Sequence, residues 1–156
     1  MGKRVATKDL GKLADSAAEL GQLRHAKANP ELNLQRQRER SAAGKAAELA
    51  VVDWLVERGY TIVARNVRMG RYEIDIVAQL GPVIAVVEVR FRGTRAWTSG
   101  FGSIDPAKRL RIRRAGERLW SRHYRNNPAV ERLRFDAASV HFSGDQAEVT
   151  YVIAAF

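Results

Sequence analysis

From Ser41 onward the apolar positions of this chain fall into clear periods. Ala43, Ala46, Ala47, Ala50, Val51, Trp54 and Leu55 recur at helical spacing. They predict a helix with one buried face, stopped at Arg58-Gly59. Three strand-like runs rich in Val, Ile and aromatic residues follow, Tyr60–Asn66, Tyr72–Gln79 and Val83–Phe91. Leu80-Gly81-Pro82 joins the second and third as a hairpin. The third reads Val-Ile-Ala-Val-Val-Glu-Val, the pattern of a central strand covered on both sides. A glycine-bearing loop runs from Arg92 to Ser103. A second helix is predicted over Asp105–Tyr124, capped by Asp105, with Pro106 in the first helical position. Its packed stripe is Ile112, Ala115 and Leu119. Strands over Arg132–Phe142 and Ala147–Ala154, parted by Ser143-Gly144-Asp145, close the chain. Arg134-Phe135-Asp136 reads as part of an edge strand, with Phe135 in the core and Asp136 structural.

Before Ser41 the pattern is weaker. Leu10, Leu13, Ala14, Ala17 and Leu20 keep helical spacing over Asp9–His25, interrupted by Gly11 and Gly21 and ended by Asn29-Pro30. Gln35 to Arg40 is polar and basic, either a linker or the exposed first turns of a helix. The expected organisation is an N-terminal extension over residues 1–40, partly helical or flexible, and one domain over residues 41–156.

Composition narrows the partners. The 156 residues carry a formal charge of +10 and a pI of about 10.6, which favours polyanions and nucleic acid first among them. There is no cysteine, so disulfide frameworks, zinc–thiolate sites and cysteine nucleophiles are excluded. No apolar run approaches the roughly 20 residues that span a bilayer. Met1-Gly2-Lys3-Arg4-Val5-Ala6 lacks the apolar segment of a secretory signal. The expectation is a cytoplasmic protein without a membrane partner.

Candidate chemistry lies on the hairpin. Side chains alternate along a strand, so Glu73 and Asp75 share a face of the second strand, and Glu88 and Arg90 share a face of the third. A charge at the end of an apolar central strand needs a partner, a metal or water. Hairpin pairing allows Asp75 and Glu88 to lie side by side, and two close carboxylates repel unless a cation separates them. Such oxygen ligands suit Mg²⁺ or Mn²⁺. Solvated hairpin-end charges are the competing reading. Glu48 borders the buried face of the first helix, with Val52 and Leu55 on its side, and can reach toward the strand ends. Lys108 lines up with the packed stripe of the second helix and brings a cation near the same place.

Several ordered motifs resemble one family. Gly44-Lys45-Ala46-Ala47-Glu48-Leu49-Ala50, Arg58-Gly59-Tyr60, Arg65-Asn66-Val67-Arg68, Glu73-Ile74-Asp75-Ile76 and Val87-Glu88-Val89-Arg90 look like the bacterial YraN family (UPF0102). Lys108-Arg109 and Arg134-Phe135-Asp136 fit its later parts, and the match covers about Ser41 to Phe142. That family is related to the PD-(D/E)XK nucleases and resembles archaeal Holliday-junction resolvases. The resemblance implies a restriction-endonuclease-like α/β fold, a mixed central sheet flanked by helices in the order αβββαββ. It implies metal-dependent phosphodiester hydrolysis, with Asp75 and Glu88 as ligands of Mg²⁺ or Mn²⁺, the Val89 carbonyl as another and Glu48 as an auxiliary one. Arg90 stands where the superfamily has lysine. Arginine stays protonated and is no general base, but it can orient a water or stabilise a phosphorane. Equally, it can form a structural ion pair with Glu73 or Glu88. Lys108 is a second candidate for the lysine's role. The resolvase analogy also implies a homodimer.

The second helix is strongly basic, with Lys108, Arg109, Arg111, Arg113, Arg114, Arg118, Arg122 and Arg125. The loop before it adds Arg92, Arg95, Trp97 and Phe101. Arginines of this kind contact phosphates, and Trp97 and Phe101 either stack on bases or pin the loop to the core. Three functions compete: a divalent-metal endonuclease on branched or single-stranded DNA, a DNA-binding module without turnover, and a protein that docks on a DNA-processing partner.

Overall fold

Pro30 opens a helix, and the helical spacing expected over Asp9–His25 lies outside the described residues. The computed structural model describes residues 30–92 and 105–156, and α1 spans Pro30–Val56. Proline suits a first turn, whose N–H groups have no intrahelical acceptor, and Glu31 faces the positive end of the helix dipole. Residues 30–42 are all exposed, so this stretch has no apolar face to announce it. The helix predicted from Ser41 therefore begins at Pro30. The chain divides into two units between Glu39 and Arg40. In the second unit Ala47, Val51 and Leu55 of α1 are fully buried.

Five strands follow the expected order: β1 (Thr61–Met69), β2 (Tyr72–Leu80), β3 (Val83–Arg92), β4 (Arg132–Ser143) and β5 (Gln146–Val152). The second helix, α2, covers Pro106–Leu119 and runs into a π-helical turn at Trp120–Tyr124. Asp105 caps α2 through its side chain, which accepts the Ala107 N–H at 3.1 Å. The sheet order is β1-β2-β3-β4-β5. Every neighbouring pair is antiparallel except β3–β4. A parallel pair needs a crossover, and α2 lies in it. The predicted loop over Arg92–Ser103 lies outside the described residues beyond Arg92.

Each sheet face has its own core. One gathers Ala47, Val51 and Leu55 of α1 with Ile76, Ala78, Ala85, Val87 and Val140. The other gathers Ile112, Ala115 and Leu119 of α2 with Tyr72, Ile74, Val77, Ile84 and Val86. β3 thus contributes to both cores, which explains its unbroken apolar run. Helix α2 approaches closely at Gly116, where an added Cβ would lie 2.5 Å from the Phe135 ring.

Asp136 is structural, but its strand is not an edge. β4 is hydrogen-bonded to β3 and to β5, because the chain's last strand adds outside it. Fully buried Asp136 takes a two-pronged contact from Arg134, the Tyr151 hydroxyl at 2.7 Å and the Ala154 N–H at 2.9 Å. The carboxylate in turn raises the pKa of Arg134, and burial followed by that same hydrogen bond raises that of Tyr151. Among the described residues no helix is long and apolar enough to cross a membrane.

Candidate active site at the fork of two strands

The β2–β3 ladder runs from Leu80↔Val83 to Ile76↔Val87 and stops there. The next rung in that register sets Asp75 opposite Glu88. Beyond it β3 continues, paired only with β4, as far as Arg92↔His141. Asp75 and Glu88 therefore face each other where the two strands part. The strand also turns over at this place. Tyr72, Ile74 and Val77 belong to the α2-side core, whereas Ile76 and Ala78 belong to the α1 side. Strict alternation would put Ile74 and Ile76 on one face. On β1 the matching position is Asn66, between the Arg65↔Ile76 and Val67↔Ile74 pairs, with φ of 51°. Asparagine tolerates that left-handed geometry better than most residues.

The fork opens into a cavity of about 260 Å³. Asp75, Glu88 and Glu73 supply its acidic wall, and Lys108, Arg111 and Arg71 its basic one, with Tyr72 and Ile112 between them. Asp75 Oδ2 accepts the Val89 N–H at 2.8 Å. Glu88, only 4% exposed, forms an ion pair through Oε1 with the Lys108 ammonium. The Asp75 carboxyl is pushed up to about 6, first by burial and then by the charge of Glu88, while the Val89 N–H and Lys108 pull the other way. A carboxylate in that state gains most from a nearby cation.

Glu48 does not join them. Its carboxylate accepts the Asn66 side-chain amide at 3.1 Å. That contact lies at the level of Asp75 on the neighbouring strand but on the α1 side, while the cavity opens on the α2 side. The expected meeting of three carboxylates is a meeting of two, Asp75 and Glu88. Among the described residues no cluster of three His, Cys, Asp or Glu side chains forms. Mg²⁺ commonly takes one or two carboxylates, with water and phosphate completing its shell, so this donor set suits it. Val89, the β3 residue whose N–H meets Asp75, could add its carbonyl. Arg90 is half-buried and does not line the cavity.

The expected nucleic-acid contacts scatter. Arg111 lines the cavity, and exposed Arg114 donates to the Tyr72 hydroxyl at 3.4 Å. Arg113 is exposed, and Arg92 and Arg109 are half-buried. Arg95 and Trp97 lie outside the described residues. Arg71 and Tyr72, absent from the expected set, flank the same cavity. Arg71 donates to the Tyr72 hydroxyl at 3.1 Å, and the phenol's pKa is lowered by Arg114 and then by Arg71. The signal available in the sequence was an arginine in the tight turn leading into the strand that carries Asp75.

Fold and site together define a mixed α/β protein with a carboxylate pair, Glu88 buried and Asp75 half-buried, at a strand fork beneath an arginine-rich helix. The family model described as "Uncharacterised protein family UPF0102" matches residues 47–140. The chain belongs to that family, as the motif resemblance implied. A UPF0102 protein of Sorangium cellulosum is 53% identical over 118 residues, 75% of this chain and 82% of the relative. One from Anaeromyxobacter dehalogenans is 34% identical over 117 residues, covering 75% and 85%. One from Myxococcus xanthus is 33% identical over 118 residues, covering 76% and 91%.

Proposed function

We propose that this protein is a divalent-metal-dependent endonuclease of the PD-(D/E)XK kind, hydrolysing phosphodiester bonds in DNA, branched or single-stranded. The observation that carries the reading is the Asp75–Glu88 rung, two carboxylates held against each other where β2 parts from the central strand β3. The helix–three strands–helix–two strands order and the mixed sheet accord with that nuclease fold. The charge of +10 accords with a nucleic-acid substrate. A cytoplasmic setting and action as a pair on symmetric junctions belong to the same proposal.

Asp75 and Glu88 would hold Mg²⁺ or Mn²⁺, with the Val89 carbonyl as a further oxygen. When bound, such an ion polarises a phosphate oxygen and acidifies its water. The Val89 N–H fixes the Asp75 carboxylate in place. Lys108 and Arg111 set positive charge beside the carboxylates, where an incoming phosphate collects charge in its transition state. Arg90 acts at most through charge and orientation.

One observation favours a second reading, a DNA-binding or partner-docking module without turnover. The Lys108 ammonium already neutralises Glu88, and Arg90 stands outside the cavity wall. The two readings part in one assay. Labelled linear, flapped, single-stranded and four-way DNA is incubated with Mg²⁺ or Mn²⁺ and with wild type or Asp75→Ala. The nuclease reading expects metal-dependent products that vanish in the variant. Salt-sensitive DNA binding without product under either ion supports the second. Cleavage that survives Asp75→Ala and Glu88→Ala together removes the assigned site.

A further inference from the structure

The Tyr72 hydroxyl is ringed by guanidinium groups. The residue is buried, yet its oxygen accepts from Arg71 Nη2 at 3.1 Å and Arg114 Nη1 at 3.4 Å. Arg118 lies over the ring, its Cζ 5.0 Å from the centroid, and donates to the Met69 carbonyl at 3.1 Å. That bond ties helix α2 to the Gly70-Arg71 turn. At Gly70, with φ of 70°, an added Cβ would lie 2.7 Å from Arg118 Nη1. The turn is thereby held where Arg71 enters the cavity wall. On α2, Arg111, Arg114 and Arg118 follow one another at spacings of three and four, so they share a stripe beside the packed one.

Arg71 and Arg111 share the cavity with Glu73, Asp75 and Glu88 without forming a salt bridge to them. Among the described residues no carboxylate pairs with Arg71, Arg111, Arg114 or Arg118. A neutral phenol oxygen is a weak partner for two cations, and guanidinium groups placed this way repel one another until an anion joins them. Planar guanidinium forks match phosphate oxygens. Arg71 and Arg111 line the same cavity as Asp75 and Glu88.

We propose that Arg71 and Arg114, which meet at the Tyr72 hydroxyl, and Arg111, on the same cavity wall as Arg71, form a phosphate subsite that holds a nucleic-acid phosphate next to the one at Asp75 and Glu88. Its ligand is a phosphate ester of a single strand, internal or terminal. The subsite rests on the nuclease reading for its neighbour but binds without metal, through arginine forks alone. Arg118 is a positioning residue that holds the turn.

The test is fluorescence anisotropy with labelled oligothymidylate in EDTA, in two arms, one with a 5′-phosphate and one with a 5′-hydroxyl. Wild type is compared with Arg71→Ala/Arg114→Ala and with a charge-matched control, Arg38→Ala/Arg132→Ala. Arg132 lies on the rung with Val83, at the far end of β3 from Glu88. The cavity variant is expected to bind about tenfold more weakly, with its log–log salt slope reduced by about 1.4, the value for two lost single-strand phosphate contacts. The control is expected to change much less. A deficit equal in both arms assigns the internal phosphodiester, and one confined to the 5′-phosphate arm assigns the strand end. Arg71→Lys/Arg114→Lys keeps the charge, guards against a folding artefact and should fall between. Wild-type affinity in the cavity variant, or an equal loss in the control, overturns the subsite. Because no metal is present, a failed metal centre leaves this result unchanged, and the two failures are separable.

Discussion

Asp75 accepts the backbone N–H of Val89 at 2.8 Å across the gap where β2 and β3 part. That bond spans the one place where the hairpin gives up its ladder before either strand ends. It holds a carboxylate in a costly position, largely buried and facing Glu88. Such a position is common where function opposes stability.

Removing the Asp75 charge is therefore expected to stabilise the fold. The group's pKa rises from an ordinary 3.8 to about 6, so the folded chain holds this proton more tightly than the unfolded one. The associated stability is fully present below about pH 4 and is lost as pH rises through about 6. Asp75→Asn is expected to raise Tm by about 5 °C at pH 8 and to leave it nearly unchanged at pH 4. Thermal unfolding across that range checks it, and an equal shift at both ends counts against the repulsion argument.

Lys108 balances Glu88, which has almost no access to water. Lys108→Ala leaves that carboxylate unpaired, at a cost of about 2 kcal/mol in urea unfolding. Excess Mg²⁺ is expected to recover part of the loss, because the ion takes over the ammonium's role. Recovery by Na⁺ at equal ionic strength would point to general screening instead.

Several parts of this arrangement were open to sequence reading. The β2–β3 hairpin, the doubly apolar third strand and the Ile112–Ala115–Leu119 stripe all carry strong periods, and register then follows from a short turn. Asp75 and Glu88 emerged as neighbours for that reason. Gln35 to Arg40 stood open between a linker and exposed first turns because no apolar face marks that stretch, and it is the exposed start of α1. Glu48 pairs with Asn66 away from the cavity wall, a placement that helical spacing alone does not give, since it says which side borders the core and not which sheet face that core covers. The turnover of β2 between Ile74 and Ile76 breaks the alternation on which face assignments rest. The contact of Arg114 with Tyr72 joins elements forty-two residues apart in sequence, beyond any local pattern. Strand β4 read as an edge because nothing in its own sequence announces β5 beside it.

Asp136 tests the structural side of this division. It satisfies Arg134, Tyr151 and the Ala154 backbone at zero exposure. Asp136→Ala strands the half-buried Arg134 guanidinium and is expected to cost about 3 kcal/mol, read as a lower urea midpoint. Any DNA binding by the remaining folded fraction should keep its wild-type salt slope. A changed slope would draw Asp136 into the nucleic-acid surface.

Gly116 sets the distance between α2 and the sheet. Gly116→Ala drives a methyl into the Phe135 ring and is expected to cost about 1–3 kcal/mol despite alanine's better helix propensity. Gly44, an α1 glycine with nothing within 4 Å, provides the contrast. Gly44→Ala should be stabilising by about 1 kcal/mol.

The most direct test is a count of bound Mn²⁺ by paramagnetic resonance, in wild type and in Asp75→Ala/Glu88→Ala, each checked for folding by circular dichroism. One ion per wild-type chain and none on the folded double variant is the predicted outcome. An unchanged Mn²⁺ count after both carboxylates are gone contradicts the account.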